Sequence, residues 1–250
     1  MLEPVGNADM YGAILCPKTE LTETGEAHIG VLFCHNEGYS TMCGHATIAL
    51  GRFLVDTHDL SVFSQRDKIE TDKEMRTAKV KLHAPCGVIE IAVPVTEDGA
   101  RSDPSMPVSF VSVPSFATGK DVKIEIPSEK RWPQLKDRES VAVSFCYGGA
   151  FTCLVSAQEL GLAEGLKQPV DVDEFDKATR ILKDTINGDT RYSKYLKHPE
   201  YDELSSLYTT MVVDKELGEV LLDSRGGRDW AVFLRRSTNR SFAHWKCCCC

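Results

Sequence analysis

One stretch constrains the fold of this chain more than any other. A polar, glycine-containing loop, Glu37-Gly38-Tyr39-Ser40-Thr41-Met42, leads to Cys43, which opens a helix running to about Val55. From Ala46 onward the apolar residues Ala46, Ile48, Ala49, Leu50, Phe53, Leu54 and Val55 leave only a thin polar line through Thr47 and Arg52. A helix that is apolar nearly all round belongs in a core rather than on a surface, so the pattern predicts Cys43 at the mouth of a buried helix. The first amides of a helix lack intrahelical partners and carry the positive end of its dipole. Such a terminus favours a thiolate over a thiol and offers donors to a carboxylate. Cys43 is therefore the candidate catalytic group, and Gly44 and His45 the candidate substrate-binding residues. A glycine lets backbone come close to a ligand, and an imidazole can donate to it or orient it.

The rest of the chain supplies strands around that helix. Met10 to Leu15 and Ala27 to His35 read as strands from their β-branched and aromatic content. Residues 57–76 are polar and read as a surface excursion. Lys79 to His83 alternates cleanly and Val88 to Val93 less so, with Ala84-Pro85-Cys86-Gly87 as a hairpin turn between them. Val108 to Val113 and Val122 to Ile126 are further strands, and residues 127–137, with Pro127 and Pro133, read as a linker. Beyond it come strands at 141–145 and 151–155, joined by a tight crossing at Gly148-Gly149. A helix follows over Asp171 to Ile186, with Asp171 as N-cap, then strands at 207–213 and 219–222. Mixed strands and helices without strict alternation predict an α+β chain. The expected domains are 1–137, carrying the Cys43 helix, and 138–227, with 228–250 as a separate tail.

Composition narrows the function classes. A formal net charge of −8 argues against a nucleic-acid surface, and no apolar run reaches membrane-spanning length. No basic segment followed by an apolar core is visible at the N-terminus, so a cytoplasmic setting is the default expectation. In that setting Cys16, Cys34, Cys86, Cys146 and Cys153 read as small hydrophobes. Cys34, His35, Cys43 and His45 make a poor zinc set, because adjacent strand residues 34 and 35 point to opposite faces. The four terminal cysteines, 247–250, have no turn between them and also make a poor metal cage.

Three segments carry a resemblance. Met42-Cys43-Gly44-His45-Ala46, preceded by His35-Asn36-Glu37-Gly38-Tyr39, resembles the active-site segment of the proline racemase family. Asp9-Met10-Tyr11-Gly12-Ala13-Ile14-Leu15 and Tyr147-Gly148-Gly149-Ala150-Phe151 are similar to further segments of that family, in the same order. The resemblance covers roughly residues 1 to 225 and is nearest to the family's trans-3-hydroxyproline dehydratases. It implies a diaminopimelate epimerase-like fold, with two pseudo-symmetric domains that each wrap strands around a central helix. It implies cofactor-independent, metal-free loss of water from trans-3-hydroxy-L-proline, started by Cys43 removing the α-proton. Proline racemase or 4-hydroxyproline epimerase activity is the alternative, and a non-catalytic truncated product is the alternative of another class. The implied partner is a small molecule, hydroxyproline or proline, with a homodimer allowed and neither nucleic acid nor membrane expected.

Against that family, the chain reads as lacking its opening strands and as ending in a tail from about residue 228 that is out of frame. Degenerate codons for residues 228–250, read one nucleotide later, permit ETGLCFFADQQIDRSPTGSVVAA, which resembles the second catalytic segment. At the junction of His244 and Trp245 they permit threonine or isoleucine and never cysteine. Threonine there is the dehydratase choice, whereas racemases and epimerases carry a second cysteine. On this reading the chain as written is expected to be inactive and poorly stable, with a loosely packed tail.

Overall fold

The computed structural model describes residues 11–35, 38–166, 171–214, 229–235 and 240–246. The chain divides into two compact units, Met1–Pro114 and Ser115–Cys250. The boundary lies earlier than the proline-containing segment suggested. Residues 127–137 are not a linker: Trp132 and Leu135 are buried, and the Trp132 indole donates to the Leu160 carbonyl at 2.7 Å.

In the first unit, strands β1 (Tyr11–Cys16) and β2 (Ile29–His35) pair antiparallel, with a short helix α1 (Glu20–Thr24) between them. Strand β3 (Gly38–Ser40) folds back on β2, and helix α2 (Gly44–Asp56) follows. The polar stretch after α2 is more than an excursion, because it contributes β4 (Glu70–Asp72), an antiparallel edge beside β5 (Thr77–Ala84). Strand β5 pairs with β6 (Gly87–Pro94), and β6 with β7 (Ser109–Val111). The sheet runs β1-β2-β5-β6-β7, with β2 and β5 parallel. The Pro85-Cys86 turn needs Gly87 at φ +120°, a conformation open to glycine at little cost.

Alternation decides which face of this sheet is core. Ala78, Val80, Leu82 and Ala84 of β5, with Ile89, Ile91 and Val93 of β6, are buried, while Lys79 and Glu90 face out. Each fully buried large side chain, such as Phe33, Leu82 or Ile89, contributes roughly 1.5–3 kcal/mol. Helix α2 lies on the inner face of β5 and β6. It does not do so as its composition predicts. The buried positions are Thr47, Gly51, Leu54 and Val55, whereas Ile48 is 38% and Phe53 46% exposed. Gly51 explains the choice. A Cβ there would stand 2.7 Å from Ile91 Cγ2 and 3.1 Å from Val93 Cγ2, so the helix can approach β6 only along its smallest residue.

The second unit is a six-stranded sheet ordered β13-β12-β11-β10-β9-β8. Its strands are β8 (Phe116–Glu125), β9 (Ser140–Tyr147), β10 (Phe151–Ser156), β11 (Leu207–Asp214), β12 (Asp229–Arg235) and β13 (Arg240–Lys246). β8 begins six residues before the strand expected there and pairs with β9, which draws residues 115–137 into this unit. Helix α3 (Val172–Gly188) joins the parallel pair β10 and β11. It is capped by Asp171, whose carboxylate accepts from the Glu174 amide at 3.1 Å. Its buried face includes Phe175, Ala178, Leu182 and Ile186. The tail is not loose throughout: β12 and β13 extend the sheet from β11 as an antiparallel hairpin. A backbone ladder asks for extended conformation rather than a particular core pattern, and 229–235 and 240–246 provide it. The strand expected at 219–222 and the cysteines at 247–250 lie outside the described residues. Overall the architecture is α+β.

Candidate active site

Strand β3 delivers the chain to α2 through Thr41 and Met42. Ser40 is buried, and its hydroxyl donates to the Met42 carbonyl at 2.7 Å, which tightens the turn just before Cys43. Cys43 is the N-cap residue, in extended conformation at φ −144° and ψ 106°. Its side chain makes no capping hydrogen bond to the helix. The opening amides are thus not occupied by a cap side chain. From inside the helix, Thr47 fixes the cysteine's backbone twice: its amide and its hydroxyl both donate to the Cys43 carbonyl at 2.9 Å. Thr47 is fully buried, so this clamp is shielded from water.

The three residues singled out from sequence therefore form consecutive steps at one helix mouth. Cys43 is 5% exposed and belongs to the apolar core of the first unit, with Met42 packed partly against the same core. Gly44 is half-buried and His45 is exposed. The arrangement is polarised, with a shielded thiol, then helix-start amides, then an imidazole reaching solvent. Chemically, it can present a sulfur base beside donors able to hold a carboxylate. Gly44 is helical here and needs no left-handed conformation. Ser40 and Thr47 were not recognised as part of the site from sequence. The available signal was spacing, since a threonine four residues after the N-cap is placed to bond back to its carbonyl.

The Tyr147-Gly148-Gly149 segment lies in the second unit. It closes the β9–β10 hairpin, with Tyr147 opposite Phe151 and Gly149 at φ +93°. The Tyr147 ring is 2% exposed and sits 5.2 Å from Phe116 and 4.7 Å from His198, centroid to centroid. His198 Nδ1 accepts from the Glu200 and Tyr201 amides at 3.2 and 3.1 Å. Among the other cysteines, burial pushes the Cys86 thiol up to about 11 and the Cys153 thiol higher still, as expected of core thiols. Cys16, Cys34 and Cys146 are only partly buried.

The sequence profile described as proline racemase matches residues 1–241. The chain belongs to the proline racemase family. That match extends about sixteen residues past residue 225, where the resemblance ends, into the stretch expected to be out of frame. A trans-L-3-hydroxyproline dehydratase of Xenopus tropicalis is 41% identical over 217 residues, covering 86% of this chain and 51% of the relative. One of Mus musculus is 38% identical over 244 residues, covering 96% of this chain and 58% of the relative. The chain spans about half the length of the curated relatives it matches. Among solved structures, a probable proline racemase of Agrobacterium radiobacter superposes with a TM-score of 0.65 at 20% identity, over 95% of this chain and 58% of that one. At that identity the likeness establishes a shared proline racemase fold. Among the described residues, no helix is long and apolar enough to cross a membrane.

Proposed function

We propose that this chain carries the thiolate half-site of an enzyme that removes water from trans-3-hydroxy-L-proline. The observation that carries the reading is Cys43 at the uncapped start of α2, in a chain 38–41% identical to trans-L-3-hydroxyproline dehydratases. The substrate carboxylate is held by the amides at the start of α2, around Gly44 and His45, with the His45 imidazole as a further donor. Hydrogen bonding to the carboxylate spreads the charge that develops when the α-proton leaves. Cys43 as thiolate takes that proton. The C3–O bond then breaks, and the departing hydroxide takes up a proton and leaves as water. The product is an enamine, which tautomerises to 1-pyrroline-2-carboxylate. No electrons are exchanged, and acid–base groups suffice for every step.

The clamp by Thr47 and Ser40 gives this assignment its geometric support, because a base must be held within hydrogen-bond reach of the proton it removes. The test is Cys43→Ser in the protein that carries this chain, with trans-3-hydroxy-L-proline as substrate and release of 1-pyrroline-2-carboxylate as readout. We expect loss of turnover with far-ultraviolet circular dichroism unchanged. Turnover near the parent level would remove Cys43 as the base. Racemisation of L-proline by the parent at a comparable rate would replace dehydration by isomerisation at the same thiolate.

A further inference from the structure

Away from Cys43, on the outer face of the first unit's sheet, lies a cavity of about 160 Å³. Its wall includes His28, Lys68, Glu70, Lys79 and Lys81. Four parts of the chain converge there: the residue before β2, the end of the 3-10 turn Arg66–Lys68, and the facing positions of β4 and β5. Lys79 and Lys81 share a face of β5 by alternation, and Glu70 is the register partner of Lys79. Three ammonium groups against one carboxylate leave this wall positive, in a chain whose formal net charge is −8.

His28 is the fixed part of the wall. Its Nδ1 accepts from the Lys81 amide at 3.0 Å, while its own amide donates to the Lys81 carbonyl at 2.9 Å. A ring nitrogen that accepts carries no proton, so the imidazole is neutral and its hydrogen is on Nε2. The ring is thereby held in one tautomer as a donor. Burial and the Lys81 charge both keep it below the ordinary histidine range, consistent with that geometry. Lys81 is shared only loosely with Glu90, at 3.9 Å between partly exposed groups, a contact of little strength.

The geometry points to a binding site for a small oxyanion that retains one hydrogen, hydrogen phosphate or the singly protonated form of a phosphate monoester. The lysines supply charge and the His28 Nε2–H supplies a directed donor. Glu70 supplies an acceptor for the remaining P–O–H, which sulfate lacks at neutral pH. The wall lies outside the Cys43 site, and the inference does not depend on the proposed reaction.

The test is a titration of the full chain followed by the ¹⁵N–¹H signals of the His28 imidazole. Inorganic phosphate, methyl phosphate and sulfate are compared at matched ionic strength and at about pH 6, where a share of the methyl phosphate keeps its P–O–H. Phosphate or methyl phosphate is expected to give a saturable shift, and sulfate a weaker one. A tighter fit for phosphate assigns the free anion, and a tighter fit for methyl phosphate assigns a monoester. Lys79→Ala, at an exposed position, is expected to weaken the binding roughly five- to tenfold. A second variant, Lys68→Ala, is expected to act in the same direction. Shifts that rise linearly, that sulfate reproduces, or that both lysine variants leave unchanged would overturn the assignment.

Discussion

Gly51→Ala is a sharp test of how α2, and with it Cys43, is held. Two effects oppose each other. In a helix interior, alanine is favoured over glycine by about 1 kcal/mol, through backbone entropy. The added Cβ, however, would stand 2.7 Å from Ile91 Cγ2, a separation real side chains do not adopt, and 3.1 Å from Val93 Cγ2. Neither neighbour can yield easily. Ile91 is 1% and Val93 0% exposed, and both are β-branched residues on β6, which is paired on one side to β5 and on the other to β7. The helix must therefore lift, and overpacking of this kind costs about 1–3 kcal/mol. Steric cost should win, leaving a net destabilisation of up to about 2 kcal/mol. Amide hydrogen exchange reads this locally: the α2 amides should exchange faster than in the parent, by up to roughly thirtyfold. Gly188→Ala is the control. A Cβ at that end of α3 meets nothing within 4 Å, so only the propensity gain of up to about 1 kcal/mol remains. Slower exchange across α2 in Gly51→Ala would refute the argument that this glycine sets the distance to β6.

Two further perturbations follow from the same geometry. Thr47→Val keeps the shape but removes the hydroxyl that bonds the Cys43 carbonyl; the Thr47 amide still bonds it, so the stability loss should stay near 1 kcal/mol. Its larger effect should be a fall in kcat with KM little changed, and a change in KM alone would argue against a role in placing Cys43. His28 gives a pH signature: its pKa is lowered from 6.5 by burial first and by Lys81 next. As pH falls through that value the unfolded chain takes up the proton before the folded chain does, so stability is lost on acidification. Urea unfolding at about pH 7.5 and about pH 5.5 should show the loss, and His28→Gln should reduce it; an unchanged difference in the variant would place the sensitivity elsewhere.

Local chemistry made several features readable from the residues. Helix starts are short-range events, so Cys43 before α2 and Asp171 before α3 could be placed from sequence. The β5–β6 hairpin was equally readable, because alternating burial and a Pro-Cys-Gly turn both act within a few residues. What remained hidden depends on partners distant in sequence. Composition marked Ile48 and Phe53 as core and Thr47 as the polar edge of α2, yet the fold buries Thr47 and exposes the other two. That inversion was set by how closely Gly51 lets the helix approach Ile91, forty residues away in the chain. The parallel pairings of β2 with β5 and of β10 with β11, the division after Pro114, and the hairpin of β12 and β13 on β11 are likewise long-range choices. A residue's own preferences carry no record of which strand will complete its ladder. The positive wall around His28 follows the same rule: its lysines come from residues 68, 79 and 81, and only the folding of β5 against the start of β2 turns them into one surface.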